Sequence, residues 1–490
     1  MGAGVAGATA ALALAERGVS VTLLERERYL GGRVGAWPVQ LDDRTQCTMS
    51  RGFHAFFRQY YNLRSMLRRA DHELAALVSL PDYPLWHSSG ARDSFANLPT
   101  RPPWNVAAFV GRSPTFSVRD LARVHLPTAL RLLDVAFPDT YAELDEESAD
   151  AFLDRLSFPH AARHLALEVF SRSFFADPEE LSAGELVAMF HAYFLGSAEG
   201  LLFDVPADAY TTSLWEPVRR ALEELGAEVR CGVTATSVTL DDRVRVHTSG
   251  PGLDVDAVVL ATDLRSLQRL VEASPTLGDT PWRSTVSRQR SAPPFAVWRL
   301  WLDRGVDSAR PGFLGTSGFG ALDNVSVLER FEAGAAAWAR RTGGSVVEVH
   351  AYALPQGFDT SRLRAELRRA LSAVYPETQA AGTLHEEWLV RDDCPLPAPG
   401  TWSTRPGVCT PDPRVVLAGD GVRCDLPVAL MERAATTGFQ AADALLARWD
   451  VAGHDLWSVP TRPRLAPLRW ARRLRGRAAQ PGNLPFDRRA

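Results

Sequence analysis

An Ala- and Leu-rich run leads from the opening Gly2-Ala-Gly-Val-Ala-Gly7 to about Arg17, Gly18 follows, and a second apolar run covers 19–24. This pattern predicts a glycine turn, a helix, a glycine stop and a buried strand, which is half of a βαβ unit. The strand that should precede the glycines is missing, because Met1 stands immediately before them. A truncated start is therefore expected, with an unpaired groove in the sheet where a central first strand would lie. From about Arg64 to Phe203 the periodicity turns helical and aromatic, predicting helices at 117–136, 149–156, 161–175 and 183–195. A second α/β stretch predicts a helix at 214–225 and strands at 228–231, 243–247 and 257–261. Longer strands are expected at 295–302 and 345–354, and the last α/β return is a strand at 415–418, Gly419-Asp420, and a helix at 428–449.

The α/β pattern thus comes in three blocks, 1–63, 205–275 and 400–450, which predicts an interrupted Rossmann-type domain. The intervening 64–204 and 276–399 form an inserted α+β substrate domain, and 451–490 is a basic Pro- and Arg-rich tail. With 490 residues and 46% hydrophobic content, the chain can bury a large core. No apolar run is long enough for a transmembrane helix and no leader pattern opens the chain, so a cytoplasmic location is expected. Five cysteines without CxxC spacing predict free thiols, with neither a disulfide framework nor a metal site. A net charge of -4 offers nucleic acid no attraction. Every basic residue other than His is Arg.

The motifs sharpen this picture. Gly2, Gly4 and Gly7 form GxGxxG, which permits a tight turn, close backbone approach to a pyrophosphate and helix–sheet packing, while the helix N-terminus offers free N–H groups to phosphate. Glu25 ends the following strand, where a carboxylate can accept both hydroxyls of an adenosine ribose, which points to FAD or NAD rather than NADP. Leu30-Gly31-Gly32-Arg33 adds flexible backbone and a guanidinium against a diphosphate.

That Gly-Gly-Arg spacing resembles the flavin amine-oxidase superfamily, which implies FAD. By the same resemblance, the strand edge near Ala235 offers backbone groups to adenine. Gly419-Asp420 and the helix after Pro427 look like the C-terminal FAD motif, whose Asp contacts ribityl or phosphate groups. Glu432 stands where that family usually has a small residue, so it is catalytic, cofactor-tuning or turned outward. The segment Arg51-Gly-Phe-His-Ala-Phe-Phe-Arg58, with Gly52 and His54, is similar to carotene desaturases and closer still to carotenoid φ-ring synthases.

This resemblance implies a lipophilic carotenoid substrate, desaturation and aromatisation of β-ionone end rings, a 1,2-methyl shift without an external methyl donor, and an electron acceptor that the sequence does not identify. It places His54 near the flavin, either as a base or as an ordinary core residue, with Glu432 as the other candidate base. Phe53, Phe56, Phe57, Tyr60 and Tyr61 suit a polyene or a transient carbocation, or simply core packing. Desaturation of an acyclic carotene by the same chemistry is the nearest rival. An amine oxidase would want a Lys holding a flavin-facing water, and this chain has none. A carotenoid lives in the bilayer, so peripheral contact with the inner face of the membrane is expected, with 464–477 and its Leu465, Leu468, Trp470 and Leu474 able to lie at the interface.

Overall fold

The computed structural model describes residues 1–159, 162–166, 172–464, 469 and 472. The helix Val5–Ala15 is buried on every side, which is why small and apolar residues occupy its whole circumference. It lies against the C-terminal helix Leu430–Arg448 so closely that a Cβ on Gly438 would sit 2.6 Å from the Ala6 carbonyl oxygen. Gly18 ends the first turn of chain at φ +81°, the left-handed conformation expected of a helix stop.

Two parallel strand pairs form the layer beneath these helices: Thr22–Glu25 with Glu228–Cys231, and Val258–Leu260 with Val415–Leu417. Residues 1–3 run between the pairs. The Gly2 N–H donates to the Leu24 carbonyl at 2.8 Å and the Ala261 N–H donates to the Met1 carbonyl at 2.9 Å. Among the described residues no strand fills the place between the pairs. Strands from three separated stretches of the chain thus meet in this layer. An antiparallel meander, Ala235–Leu240, Val244–Thr248 and Leu253–Val255, flanks it.

The other large element is a seven-stranded mixed sheet whose centre is formed by Phe295–Leu302, Ser345–Ala351 and Asn324–Val327. Period-two alternation divides the residues of the central strands. Ala296, Trp298, Leu300, Val347 and Val349 pack into one apolar core under the helix Thr360–Val374. Val297, Arg299, Glu348 and His350 face the opposite way.

The expected interrupted α/β architecture is present, with local differences. The helix expected at 117–136 is two, Val118–Leu121 and Leu126–Leu133, because the His125 N–H turns to the Leu156 carbonyl and Pro127 opens the second. The helix expected at 183–195 is Ala183–Phe190 continued by a wider π turn, His191–Leu195. Of the helix expected at 161–175, the described parts are Arg163–Ala166 and the 3₁₀ turn Arg172–Phe174. The amphipathic tail lies outside the described residues except for Arg464, Arg469 and Arg472. Among the described residues no helix is long and apolar enough to cross a membrane.

Candidate active site

A cavity of about 580 Å³ runs from the split parallel layer to the face of the seven-stranded sheet that carries Val297 and His350. Its walls bring together Gly2, Gly4, Glu25, Gly31, Gly32, Arg33, His54, Ala235, Gly419 and Asp420. At one end two glycine loops touch. Gly4 bridges to Gly31, whose N–H donates to the Ala3 carbonyl at 2.8 Å. Side chains are excluded here: at Gly32 (φ +56°) a Cβ would lie 3.2 Å from the Gly4 Cα, and at Gly31 (φ +109°) 2.3 Å from the Trp215 indole nitrogen. No side chain caps the helix Val5–Ala15, so the N–H groups of its first turn remain available to an anion.

Charged groups complete this end. The Glu25 carboxylate accepts the Ala3 N–H at 2.7 Å and the Glu27 N–H at 2.9 Å, holding the turn while each oxygen keeps a further lone pair. The Arg33 guanidinium is ion-paired with Asp420. Burial works against the Arg33 charge, but the Asp420 carboxylate beside it keeps the guanidinium well above its ordinary pKa. The helix Leu430–Arg448 is likewise without a side-chain cap, and Leu430, Met431 and Ala434 of its first turns line the cavity. Its partial positive end therefore faces the cavity.

The opposite end is aromatic. Phe53 stacks on Phe313 with centroids 4.5 Å apart, and Phe203 meets Phe53, Phe57, Tyr83 and Phe313 edge to face. His54 also lines the cavity. Its Nδ1 lies 2.7 Å from the Gly52 carbonyl oxygen, an acceptor only, so Nδ1 carries the hydrogen and Nε2 keeps its lone pair. Burial pushes the imidazole pKa down to about 4, so the ring is neutral near neutrality.

A polar glycine cradle joined to an apolar chamber fits a dinucleotide whose reactive ring meets a greasy substrate, and the comparisons identify the class. Residues 5–446 match the family model of flavin containing amine oxidoreductases. The chain belongs to that family. It is 58% identical over 479 residues to a carotenoid phi-ring synthase of Streptomyces griseus, covering 96% of this chain and 91% of that protein. A carotenoid phi-ring synthase of Chlorobaculum tepidum is 27% identical, covering 94% of this chain and 90% of the other. Cyclohexylamine oxidase from Brevibacterium oxydans has the same fold, with a TM-score of 0.66, 13% identity, and 92% and 98% of the two chains covered.

Three expected site residues of this flavin-containing oxidoreductase sit behind the cavity wall. Gly7 packs the helix onto its turn, since a Cβ there would lie 1.8 Å from the Gly2 carbonyl oxygen. Gly52 (φ +100°) makes room for His350, 2.7 Å from where its Cβ would be, and its carbonyl accepts the Tyr210 hydroxyl at 2.9 Å. Glu432, one of the two candidate bases, points away from the cavity. Helical rotation carries it away from the face of Met431 and Ala434, and its carboxylate caps the helix Tyr61–Leu67, accepting the N–H groups of Asn62 at 2.8 Å and Leu63 at 2.9 Å. Burial pushes that carboxyl up to about 8, against the pull of those two N–H groups. Of the expected aromatics, Phe53, Phe57 and Tyr60 reach the cavity, whereas Phe56 and Tyr61 do not line it.

Sequence reasoning missed the network that holds this segment. Arg299 donates twice to Glu348, at 2.9 and 2.7 Å, and also to the Thr48 carbonyl at 2.6 Å and the Ser50 hydroxyl at 2.8 Å. Glu348 in turn accepts the Phe53 N–H at 2.8 Å. One buried ion pair thus clamps residues 48–53, immediately before His54. Burial alone would raise the Glu348 carboxyl, but Arg299 and His350 bring it down to about 2. Charged residues inside otherwise apolar strands were the available signal. Trp215 was also missed: its indole N–H donates to the Val34 carbonyl at 2.7 Å and fixes the Gly-Gly-Arg loop.

Proposed function

We propose that this oxidoreductase binds FAD and uses it to desaturate and aromatise the β-ionone end ring of a carotenoid, moving one methyl group within the ring. The observation that carries the proposal is a continuous cavity with a glycine cradle at one end and an aromatic chamber with a neutral imidazole at the other. The Streptomyces griseus relative named carotenoid phi-ring synthase supplies the choice of substrate and reaction. Gly2, Gly4 and the open helix N-terminus would take the diphosphate, Glu25 the ribose hydroxyls, and the Ala235 backbone the adenine. Arg33, Gly31, Gly32, Gly419 and Asp420 would line the diphosphate and ribityl chain. A bound flavin supplies an acceptor for hydride.

Each β-ring must lose four hydrogens, two as hydrides and two as protons, while a methyl moves with its bonding pair from the gem-dimethyl carbon to its neighbour. The side chains handle the protons and the cation. Phe53, Phe57, Phe203 and Phe313 present ring faces and edges to an apolar substrate, and aromatic faces stabilise a transient carbocation. His54 Nε2 accepts a proton from a carbon next to the cation. Such a C–H is strongly acidic, so an imidazole held near 4 is basic enough for the transfer. The methyl shift needs no donor, only a dry cavity that protects the cation from water. Expression in a β-carotene-producing bacterium should yield carotenoids with trimethylphenyl end rings. Recovery of unchanged β-carotene beside soluble, flavin-loaded protein would refute the assignment.

A further inference from the structure

Two protons leave each ring, from different carbons, and His54 accounts for one acceptor position. The second lies on the sheet wall of the same cavity. The strand Ser345–Ala351 places Glu348 and His350 on one face, and Tyr352 continues that face to the cavity wall. Glu348 and His350 are 0% and 2% exposed.

The hydrogen positions follow from the partners. The Glu348 carboxylate, paired with Arg299, can only accept, and its Oε1 lies 2.8 Å from His350 Nε2, so Nε2 carries the hydrogen. The Phe53 N–H points to the same oxygen at 2.8 Å and only grazes Nε2 at 3.3 Å. His350 Nδ1 is then the acceptor of the singly protonated ring, and the Tyr352 hydroxyl 2.5 Å away donates to it. Asn324 Nδ2 donates to the same hydroxyl oxygen at 3.0 Å, which leaves that oxygen one lone pair. Tyr352, His350 and Asn324 all line the cavity. Carboxylate, imidazole and hydroxyl in this order let a hydroxyl release its own proton while it takes part in chemistry.

We propose that Glu348, His350 and Tyr352 form a proton relay in which the Tyr352 hydroxyl is a second general base of the ring oxidation. The proposal rests on the carotenoid reading above. In the step, the C–H electron pair of the ring becomes a ring π bond and its proton goes to the Tyr352 oxygen. The original Tyr352 hydrogen passes to His350 Nδ1, and Glu348 balances the imidazolium until that proton returns to solvent. A bound flavin would supply the acceptor for the matching hydride, so atoms and electrons balance.

Tyr352→Phe tests the relay, because the ring that packs edge-on against Phe175 at 5.0 Å is kept. The variant should hold flavin as the wild type does, form aromatic product about 10²–10⁴-fold more slowly, and accumulate rings that carry extra double bonds but are not aromatic. Aromatic product formed within about tenfold of the wild-type rate overturns the relay. Histidine ¹⁵N NMR of the purified protein gives an answer independent of turnover. His350 should carry hydrogen on Nε2 and an unprotonated Nδ1 whose resonance moves in Tyr352→Phe; hydrogen on Nδ1 overturns the relay. Wild-type protein inert toward β-carotene refutes the substrate reading, and the His350 tautomer still decides the relay.

Discussion

Replacing Glu348 with Gln removes the charge on which the clamp around residues 48–53 depends. The carboxylate is fully buried and accepts hydrogen bonds from Arg299, His350 and Phe53. Its pKa lies at about 2 rather than the ordinary 4.5, which at about 1.4 kcal/mol per unit corresponds to about 3 kcal/mol at neutral pH. The neutral amide would also leave the Arg299 guanidinium buried without its counter-charge, a loss of about 3–5 kcal/mol for a broken buried pair. We expect Glu348→Gln to unfold at lower urea, with a free-energy difference of about 3–5 kcal/mol at pH 7. The pH dependence has a definite sign. A depressed carboxyl stabilises the fold above its unfolded pKa and loses that stabilisation as pH falls through the folded value. The gap between wild type and variant should therefore be flat from about pH 5 to 7 and narrow below about 4.5 toward about 2. A difference below about 1 kcal/mol at pH 7, or a gap that widens on acidification, would refute the clamp.

Three other substitutions separate binding from chemistry. Glu25→Ala should weaken FAD by about 1.5–3 kcal/mol through loss of a charge-assisted ribose contact, and undiminished flavin content at limiting FAD removes Glu25 from the site. His54→Ala should keep flavin and slow ring conversion by about 10²–10⁴-fold, measured as pigment formed per flavin-loaded enzyme; unchanged conversion makes His54 a packing residue. Glu432→Gln should lower stability by about 1–3 kcal/mol, because one N–H of the helix Tyr61–Leu67 loses its acceptor, yet still convert carotenoid. Loss of conversion in a normally folded Glu432→Gln protein would restore Glu432 as a candidate base.

Much of this architecture is legible where local pattern and tertiary role agree. The fully buried helix Val5–Ala15, the parallel strands and the glycine loops announce themselves because a dinucleotide cradle needs small residues at fixed places near the chain start. The substrate half is harder to read. A single apolar stretch at 117–136 becomes two helices because a backbone partner far along the chain, Leu156, decides where the first one breaks. The direction of Glu432 is hard to read for a related reason: its neighbours along the helix face the cavity, while its own direction depends on the N-terminus of another helix, Tyr61–Leu67. Arg299 and Glu348 lie far apart in the chain and meet only because Phe295–Leu302 and Ser345–Ala351 pair in register, with Arg299 opposite Glu348. No local motif records that register.

The central claim, that one cavity oxidises the ring and moves a methyl group within it, is tested most directly by following the methyl carbons. β-Carotene labelled with ¹³C at both gem-dimethyl methyl groups would be converted by the purified flavin-loaded enzyme and its product read by carbon NMR. Both labels should remain on the aromatic ring, on adjacent carbons and coupled to a single ring system. Loss of one label, or the appearance of an unlabelled methyl in its place, would contradict the account.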